Sequence, residues 1–296
     1  MISKFFHKIG KKKKSTKQKN VPETFEDFYQ VQEKVGDGTF SVVRKAQHKF
    51  TNKTYAVKIL KKSQLDNQKQ LIENEIEILG NLDHPNVIKM KEIFDTPKKI
   101  FIVMEYVSGG ELFNKLQQVE KFSEHKTAKI IKMILLALQY LHKNKIVHRD
   151  LKPENLLYTE ENDEIIVKLT DFGLSKILSS RDMMTTACGT PYYVAPEIIK
   201  REPYGPSVDI WSTGVIIYVL LTGCAPFYDD SIPKMFDKIK RGAVTFPLPE
   251  WDGLSKEVIE FIKRFLTVDV NKRITIEEAL EHPWILSEGI NIENLK

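Results

Sequence analysis

Cysteine is nearly absent, with only Cys188 and Cys224 among 296 residues. Two thiols cannot staple a small secreted scaffold, and their scarcity suits a reducing compartment. Long apolar runs are missing as well. The most apolar stretch, Gly214 to Phe227, is 14 residues long with Pro226 near its end. That is too short to cross about 30 Å of hydrocarbon, so it reads as a buried core helix. Glycine (14) and proline (13) are too few for a collagen-like or low-complexity chain. The N-terminus has no apolar signal-peptide core, and Ile2 stands where N-myristoylation needs glycine. Acids are missing from the first twenty positions, which hold eight lysines.

That last absence relocates the charge. The whole chain is +5, yet residues 21–296 carry −3. The basicity belongs to a tail and gives the folded body no reason to bind nucleic acid. A block of like charges repels itself, so residues 1–27 are expected to be a basic, disordered leader. Three readings of it stay open. Ile2, Phe5, Phe6 and Ile9 share one helical face, which with Lys4, Lys8 and Lys11–Lys14 suits an anionic membrane surface. The four-lysine run also suits a nuclear address, and the tail can equally be a solvated leader.

From about Phe28 the pattern turns to strands. YQVQEKV alternates, SVVRKAQHKF and KTYAVKIL are rich in β-branched and aromatic residues, and Thr51–Asn52–Lys53 reads as their hairpin turn. Residues 66–80 have helical spacing, with Leu71, Ile72, Glu75, Ile76 and Leu79 on one side. KIFIVMEYV is a nearly continuous apolar strand, broken by Ser108–Gly109–Gly110. Beyond it the chain reads as mostly helical: AKIIKMILLALQYLHK, the all-round apolar VDIWSTGVIIYVLLTG, SKEVIEFIKRFL, and TIEEALEHPWI stopped by Pro283. A small sheet lobe followed by a helical lobe predicts a cleft, where ligands commonly bind.

Three motifs carry chemistry. Val35–Gly36–Asp37–Gly38–Thr39–Phe40–Ser41–Val42–Val43 places two glycines in a strand-turn-strand. Without a Cβ, backbone N–H groups can approach phosphate oxygens there, although a plain hairpin turn explains the motif equally well. No Gly-Lys-Ser/Thr follows and a strand comes next, so it is neither a Walker loop nor a Rossmann fingerprint. Ala56–Val57–Lys58–Ile59 puts a lysine among strand apolars. An inward lysine would need a charge partner, which Glu75 can supply; an exposed strand lysine is the alternative. The third is His148–Arg149–Asp150–Leu151–Lys152–Pro153–Glu154–Asn155–Leu156–Leu157, followed by Thr170–Asp171–Phe172–Gly173 and Ala195–Pro196–Glu197.

Together these segments resemble the signature set of eukaryotic protein kinases. They occur in the family's order, 22 residues from Gly36 to Lys58, 21 from Asp150 to Asp171 and 26 from Asp171 to Glu197. The similarity covers roughly residues 28–285 and is nearest to the calcium/calmodulin-dependent kinase group, through DFGLSK, ACGTPYYVAPE, SVDIWSTGVIIYVLLTGCAPF and RITIEEALEHPWI. Ser41 stands where the family usually has a third glycine, as in some of that group. The resemblance implies an α+β bilobal fold: a small N-terminal β-sheet lobe (28–107) with one main helix, a larger helical lobe (108–285), and a short tail (286–296).

It also implies an ATP-dependent serine/threonine kinase using Mg²⁺. Phosphoryl transfer has a loose transition state, so the protein mainly positions groups and neutralises charge. By resemblance, Lys58, held by Glu75, contacts the α/β-phosphates. Asn155 and Asp171 hold Mg²⁺. Asp150 orients the attacking hydroxyl and accepts its proton, and Lys152 reaches the γ-phosphate. Lys152 together with Thr190 resembles serine/threonine and not tyrosine kinases. Val43, Ala56 and Leu157 sandwich the adenine, Met104 is the gatekeeper, and the backbone of Glu105 and Val107 meets the adenine edge. Glu111 falls with the nucleotide-binding residues and also, with Glu154, receives a basic residue three positions before the target. Val219 stands where the cyclic-AMP-dependent kinases carry a further acid, so little demand for arginine is expected at the next position.

Structural roles are expected elsewhere. His148 packs in the core with Leu79, Met90 and Phe172. Glu197 and Arg273 form a buried ion pair, Asp209 fixes the catalytic-loop backbone, and Trp211 and Trp284 are core aromatics. The Cys188 thiol has no task. Thr186 is the candidate activation-loop phosphorylation site, pairing with Arg149 after an upstream kinase acts, against the reading of an ordinary loop threonine. No EF-hand pattern appears and twelve residues follow Trp284, so direct control by calcium is not expected. The expected partners are protein substrates, the expected state is a monomer, and the expected location is cytoplasmic, with membrane-surface or nuclear placement through the tail. A pseudokinase lacks part of the charge set, which here is complete. A small-molecule or lipid kinase has no use for the Ala195–Glu197 segment and the peptide-docking helices after it.

Overall fold

The computed structural model describes residues 24–38, 41–64, 76, 80–171 and 192–289. The chain divides into two compact units that part between Val107 and Ser108.

In the N-terminal unit the described residues Thr24 to Asp27, which precede the residue-28 boundary expected from the sequence, already take up defined structure. Asp27 Oδ2 accepts the backbone N–H of Thr24 at 2.7 Å, which starts the short helix α1, Phe25–Phe28. Phe25 is fully buried, stacked on Phe101 at 4.3 Å and on Tyr29 at 5.2 Å. Five antiparallel strands follow: β1 (Tyr29–Gly38), β2 (Ser41–His48), β3 (Thr54–Lys61), β4 (Met90–Asp95) and β5 (Lys99–Glu105), ordered β1-β2-β3-β5-β4. Their shared core is Phe25, Tyr29, Ala46, Val57, Ile59, Phe101 and Val103. The β2–β3 turn centres where the sequence placed it. Asn52 takes a left-handed φ of 57° and donates its N–H to His48 O at 2.8 Å. Of the expected 66–80 helix, Ile76 is described, helical and buried; Leu71, Ile72, Glu75 and Leu79 lie outside the described residues.

The C-terminal unit is built around α5, Ser207–Thr222. Every residue from Val208 to Leu221 is buried, as the all-round apolar sequence requires. The long amphipathic α3 (Glu124–Lys143), capped by Ser123, packs on it, as does α7 (Lys256–Phe265). A Cβ on Gly214 would lie 2.5 Å from Phe265 Cβ, so glycine permits the close approach of α5 and α7. The remaining helices are α2 (Leu112–Val119), α4 (Pro196–Ile199), α6 (Ile232–Arg241), α8 (Ile276–Leu280) and α9 (Pro283–Leu286).

Three sequence expectations change here. The unit also holds a β-hairpin, β6 (Leu156–Glu161) and β7 (Glu164–Leu169), turned by Asn162 and Asp163 with φ of 51° and 65°. The apolar run 214–227 is helical only to Thr222, where Gly223 at φ 73° ends α5. TIEEALEHPWI is two short helices. Pro283 lacks an N–H and forces His282 to extended backbone, so it opens α9 instead of merely stopping α8. Among the described residues no helix is long and apolar enough to cross a membrane.

Candidate active site

Most of the predicted residues lie in the N-terminal unit. The glycine motif is the β1–β2 hairpin, with Gly36 opposite Val43 and Gly38 opposite Ser41. A Cβ on Gly36 would sit at an ordinary 3.7 Å from Val43 Cβ, and the residue has no left-handed φ. Neither packing nor backbone demands glycine there, so its bareness fits room kept for a ligand's phosphates. Val35 and Asp37 are exposed and Val42 is half-buried; Thr39 and Phe40 lie outside the described residues. Lys58 pairs with Val43 on one side and Ile102 on the other and is 8% exposed. The inward orientation is therefore the observed one. An ammonium so buried requires anions near it, protein carboxylate or phosphate; Glu75 lies outside the described residues. Ala56 pairs with Met104, and Val107 is buried. Glu105 is locked to Lys89 twice: its N–H donates to Lys89 O at 3.0 Å, and its Oε1 accepts Lys89 N–H at 2.8 Å. This fixes the last residue of β5, which is expected to face the adenine edge.

The others lie in the C-terminal unit, where Asp150, Lys152, Glu154 and Asn155 stand on the loop between α3 and β6. Asp209, in the first turn of α5 and 1% exposed, accepts the N–H of His148 (2.9 Å) and of Arg149 (2.8 Å). Arg149 is held in a left-handed conformation, φ 67°. For a residue with a Cβ that conformation costs about 1–2 kcal/mol, so it needs such restraint. His148 is fully buried, and its Nε2 donates to Thr170 O at 3.1 Å. Burial pushes its pKa below the usual histidine value, against the opposing pull of Asp209 and Asp150. Of its expected packing partners, Met90 opens β4 of the N-terminal unit, while Leu79 and Phe172 lie outside the described residues.

Asp150 is oriented by its own loop. Asn155 Nδ2 donates to Asp150 O (2.6 Å) and Oδ2 (3.1 Å), and Lys152 Nζ stands 2.9 Å from the same Oδ2. Asn155 is itself buried in the 3₁₀ turn Pro153–Asn155. Its amide nitrogen is used, leaving Oδ1 as the acceptor for a cation. Thr170 N–H donates to Asn155 O at 3.0 Å, which brings the end of β7, and Asp171 after it, to the same place. Two oxygen donors, an amide and a carboxylate, fit Mg²⁺, which takes few protein ligands and keeps phosphate and water oxygens for the rest.

Leu157 is half-buried in β6 and bridges to the backbone of Glu111. Gly109 N–H donates to Tyr158 O (2.9 Å) and Tyr158 N–H to Gly110 O (3.0 Å). A Cβ on Gly109 would lie 2.3 Å from Tyr158 O, so only glycine allows this approach. It sets Glu111 close enough to Glu154 to feel its charge. Burial first, then Glu154, raises the Glu111 pKa above the usual carboxylate range. Burial and Glu154 likewise raise that of the Tyr193 phenol. Among the described residues no cation pairs with Glu111 or Glu154. Tyr193 was missed in the sequence; nothing in the tyrosine pair of PYYVAPE distinguishes it from Tyr192. Thr186, Cys188 and Thr190 lie outside the described residues. Glu197 and Arg273 do form the buried pair, at 2.7 Å.

Buried lysine on a central strand, a backbone-clamped Asp-x-Lys-x-x-x-x-Asn loop and an aspartate after a short hairpin define a phosphoryl-transfer protein of bilobal α+β class. Comparison with known proteins agrees. The protein kinase domain matches residues 29–285. Myosin light chain kinase A of Dictyostelium discoideum is 47% identical over 268 residues, 90% of each chain. Calcium/calmodulin-dependent protein kinase type IV of Homo sapiens is 44% identical over 270 residues, 91% of this chain but 56% of that protein. Calcium/calmodulin-dependent protein kinase type 1 of Macrobrachium nipponense is 40% identical over 286 residues, 96% of this chain and 83% of that protein. The chain belongs to the protein kinase family, as a serine/threonine kinase of the calcium/calmodulin-dependent group.

Proposed function

We propose that this kinase transfers the γ-phosphate of ATP to serine or threonine hydroxyls, with Asp150 serving the hydroxyl. The observation that carries this is the fixing of Asp150 Oδ2 by Asn155 Nδ2 and Lys152 Nζ. One oxygen is thereby occupied and the other turned to the reacting hydroxyl, whose proton it accepts. Lys152 places positive charge where the transferred phosphoryl gathers it. Lys58, Gly36 and Gly38 hold the phosphates; Val43, Ala56, Met104 and Leu157 enclose the adenine; Glu105 and Val107 offer backbone groups to its edge. Asn155 and Asp171 hold Mg²⁺, which when bound neutralises the charge on the phosphate oxygens. Asp150→Asn is expected to lower kcat at least ~10²-fold while nucleotide affinity, measured with a fluorescent ATP analogue, stays unchanged. Wild-type turnover by that variant would refute the assignment.

A preference for arginine three residues before the target rests on the Glu111–Glu154 pair. Two neighbouring carboxylates that pair with no cation among the described residues favour a guanidinium that can bridge them. A peptide library preferring acidic residues or proline beside the target would overturn it. Finer readings rest on sequence alone. Phosphorylation of Thr186 by an upstream kinase, paired with Arg149, is tested by activity of Thr186→Ala after incubation with that kinase. Docking of residues 1–20 on anionic lipid, against nuclear targeting or no role, is tested by vesicle co-sedimentation with and without the tail.

A further inference from the structure

We propose that the Glu105 side chain is a positioning group for nucleotide binding: by taking the Lys89 N–H, it keeps the Glu105 carbonyl for the amino group of adenine. The proposal rests on the reading above that the Glu105 backbone meets the adenine edge. Glu105 ends β5, and Lys89 stands directly before β4. Met90 and Met104 are partners across the two strands, so the ladder next reaches Lys89 and Glu105. In a hydrogen-bonded antiparallel pair the two residues exchange both N–H···O=C bonds. One of the two bonds is regular here: Glu105 N–H donates to Lys89 O at 3.0 Å. The return bond differs, because Lys89 N–H donates at 2.8 Å to Glu105 Oε1. A side-chain oxygen thus stands in for the main-chain oxygen where β4 and β5 meet the adenine-facing end.

The substitution matters because of what adenine asks of this residue. The adenine amino group is a donor, so only the carbonyl of the Glu105 backbone can receive it. The Glu105 N–H is committed to Lys89 O in any case. A regular return bond from Lys89 would compete for that same carbonyl and draw it toward β4. The carboxylate removes the competition by satisfying the Lys89 N–H itself. Lys89 is a fixed reference for this bond. Val87 and Ile88, just before it, are 1% and 7% exposed, and Val87 N–H donates to His84 O at 3.1 Å. On its other edge Glu105 is paired with Tyr55 of β3. A strand end held from both neighbours presents its carbonyl with little ordering left to do when the nucleotide arrives.

The test varies side chain and nucleotide together on the full-length chain. Affinities for ATP and for purine riboside triphosphate, which lacks the amino group, are measured with Mg²⁺ by titration calorimetry. The wild-type protein is expected to favour ATP about fivefold, the net contribution of one hydrogen bond. Glu105→Ala leaves the Lys89 N–H to claim the carbonyl, so it should weaken ATP about fivefold and leave the other nucleotide as in wild type. The two nucleotides then bind alike. Glu105→Gln, whose amide oxygen can accept the same N–H, should restore the preference for ATP. If Glu105→Ala does not fold, Glu105→Met, which keeps the side-chain length without the acceptor, is read in its place. Equal losses for both nucleotides would overturn the proposal, because they mark a general loosening of β5. So would a glutamine variant that behaves like the alanine one. A wild-type protein that binds the two nucleotides alike defeats the underlying reading of the Glu105 backbone as well. A wild-type preference that survives unchanged in the acceptor-less variant defeats the side-chain proposal alone.

Discussion

Removing Arg273 should unfold the C-terminal unit far more readily than removing Arg273 and Glu197 together. The guanidinium has five N–H groups, and five acceptors surround it. Glu197 Oε1 and Oε2 lie at 2.7 and 3.0 Å, and the carbonyls of Thr267, Ser207 and Val268 at 2.9, 2.9 and 3.4 Å. The two side chains are 1% and 3% exposed, and the Trp211 ring lies 5.1 Å from the guanidinium carbon. Arg273→Leu strands a buried carboxylate, which costs about 3–5 kcal/mol. Arg273→Leu with Glu197→Leu strands only carbonyls, each worth about 1 kcal/mol, and regains apolar packing. The double variant should therefore recover at least about 2 kcal/mol relative to the single. Urea unfolding followed by tryptophan fluorescence suits the question, because Trp211, Trp251 and Trp284 all belong to the C-terminal unit. At an m-value of about 2 kcal/mol/M, the single variant should shift the midpoint by about 1.5–2.5 M. A shift below about 0.5 M, or a double variant no better than Arg273→Leu, would refute the reasoning.

Acid should destabilise the fold before carboxylates begin to protonate. His148, His48 and His282 all have pKa values lowered by burial. The unfolded chain takes up protons below about pH 6.5 that the folded chain refuses, so stability falls as pH drops. For a fully neutral buried His148 the loss at pH 5.5 is about 1.4 kcal/mol, and a flat melting temperature between about pH 7.5 and 5.5 would contradict it. Under the proposed role of Glu111 in peptide binding the direction is the same: its raised pKa means that KM for a basic peptide should fall as pH rises through it, whereas a neutral peptide shows no such slope. Gly109→Ala should cost about 1–3 kcal/mol and raise KM for basic peptides, since its Cβ would collide with Tyr158 O. Gly205→Ala, with open space around it, is the neutral control in the same melting and kinetic assays.

What the sequence disclosed depended on whether a residue's task is local. Strands β1, β2, β3 and β5, the buried α5 and the glycine hairpin are written in short-range pattern and appear where the pattern places them. The motifs named Lys58, Asp150, Asn155 and Asp171 through their resemblance to the protein kinase signature set. Two local signals were present and passed over. Thr24-x-x-Asp27 is a helix-start signature, and Asn162–Asp163 between apolar runs is a hairpin turn. Other features were not local. Tyr193 feels the charge of Glu154 across 39 residues, and His142 meets Asp209 across 67. Neither interaction follows from a period or a turn, since both depend on how separate segments stack in the C-terminal unit. Pro283 shows the intermediate case: its chemistry was read correctly as a break, but a break also makes a start.

The buried helix explains why so much of the site's precision can rest on residues that touch no substrate. Within two turns α5 offers the Ser207 carbonyl to Arg273, the Asp209 carboxylate to the catalytic loop and the Ser212 hydroxyl to Tyr193 O at 2.8 Å. These three bonds govern three different segments: the Glu197 pair, the Asp150 loop and the chain beside Glu154. A surface helix could tilt and carry each contact elsewhere. This one cannot, because Val208 to Leu221 are buried on every face, and Gly214 seats α7 against its backbone. Any shift would open cavities at about 24 cal/mol per Å³. The strained turn at Arg149 is thus maintained by core packing, and the polar contacts at the end of α5 convert that rigidity into the placement of Asp150.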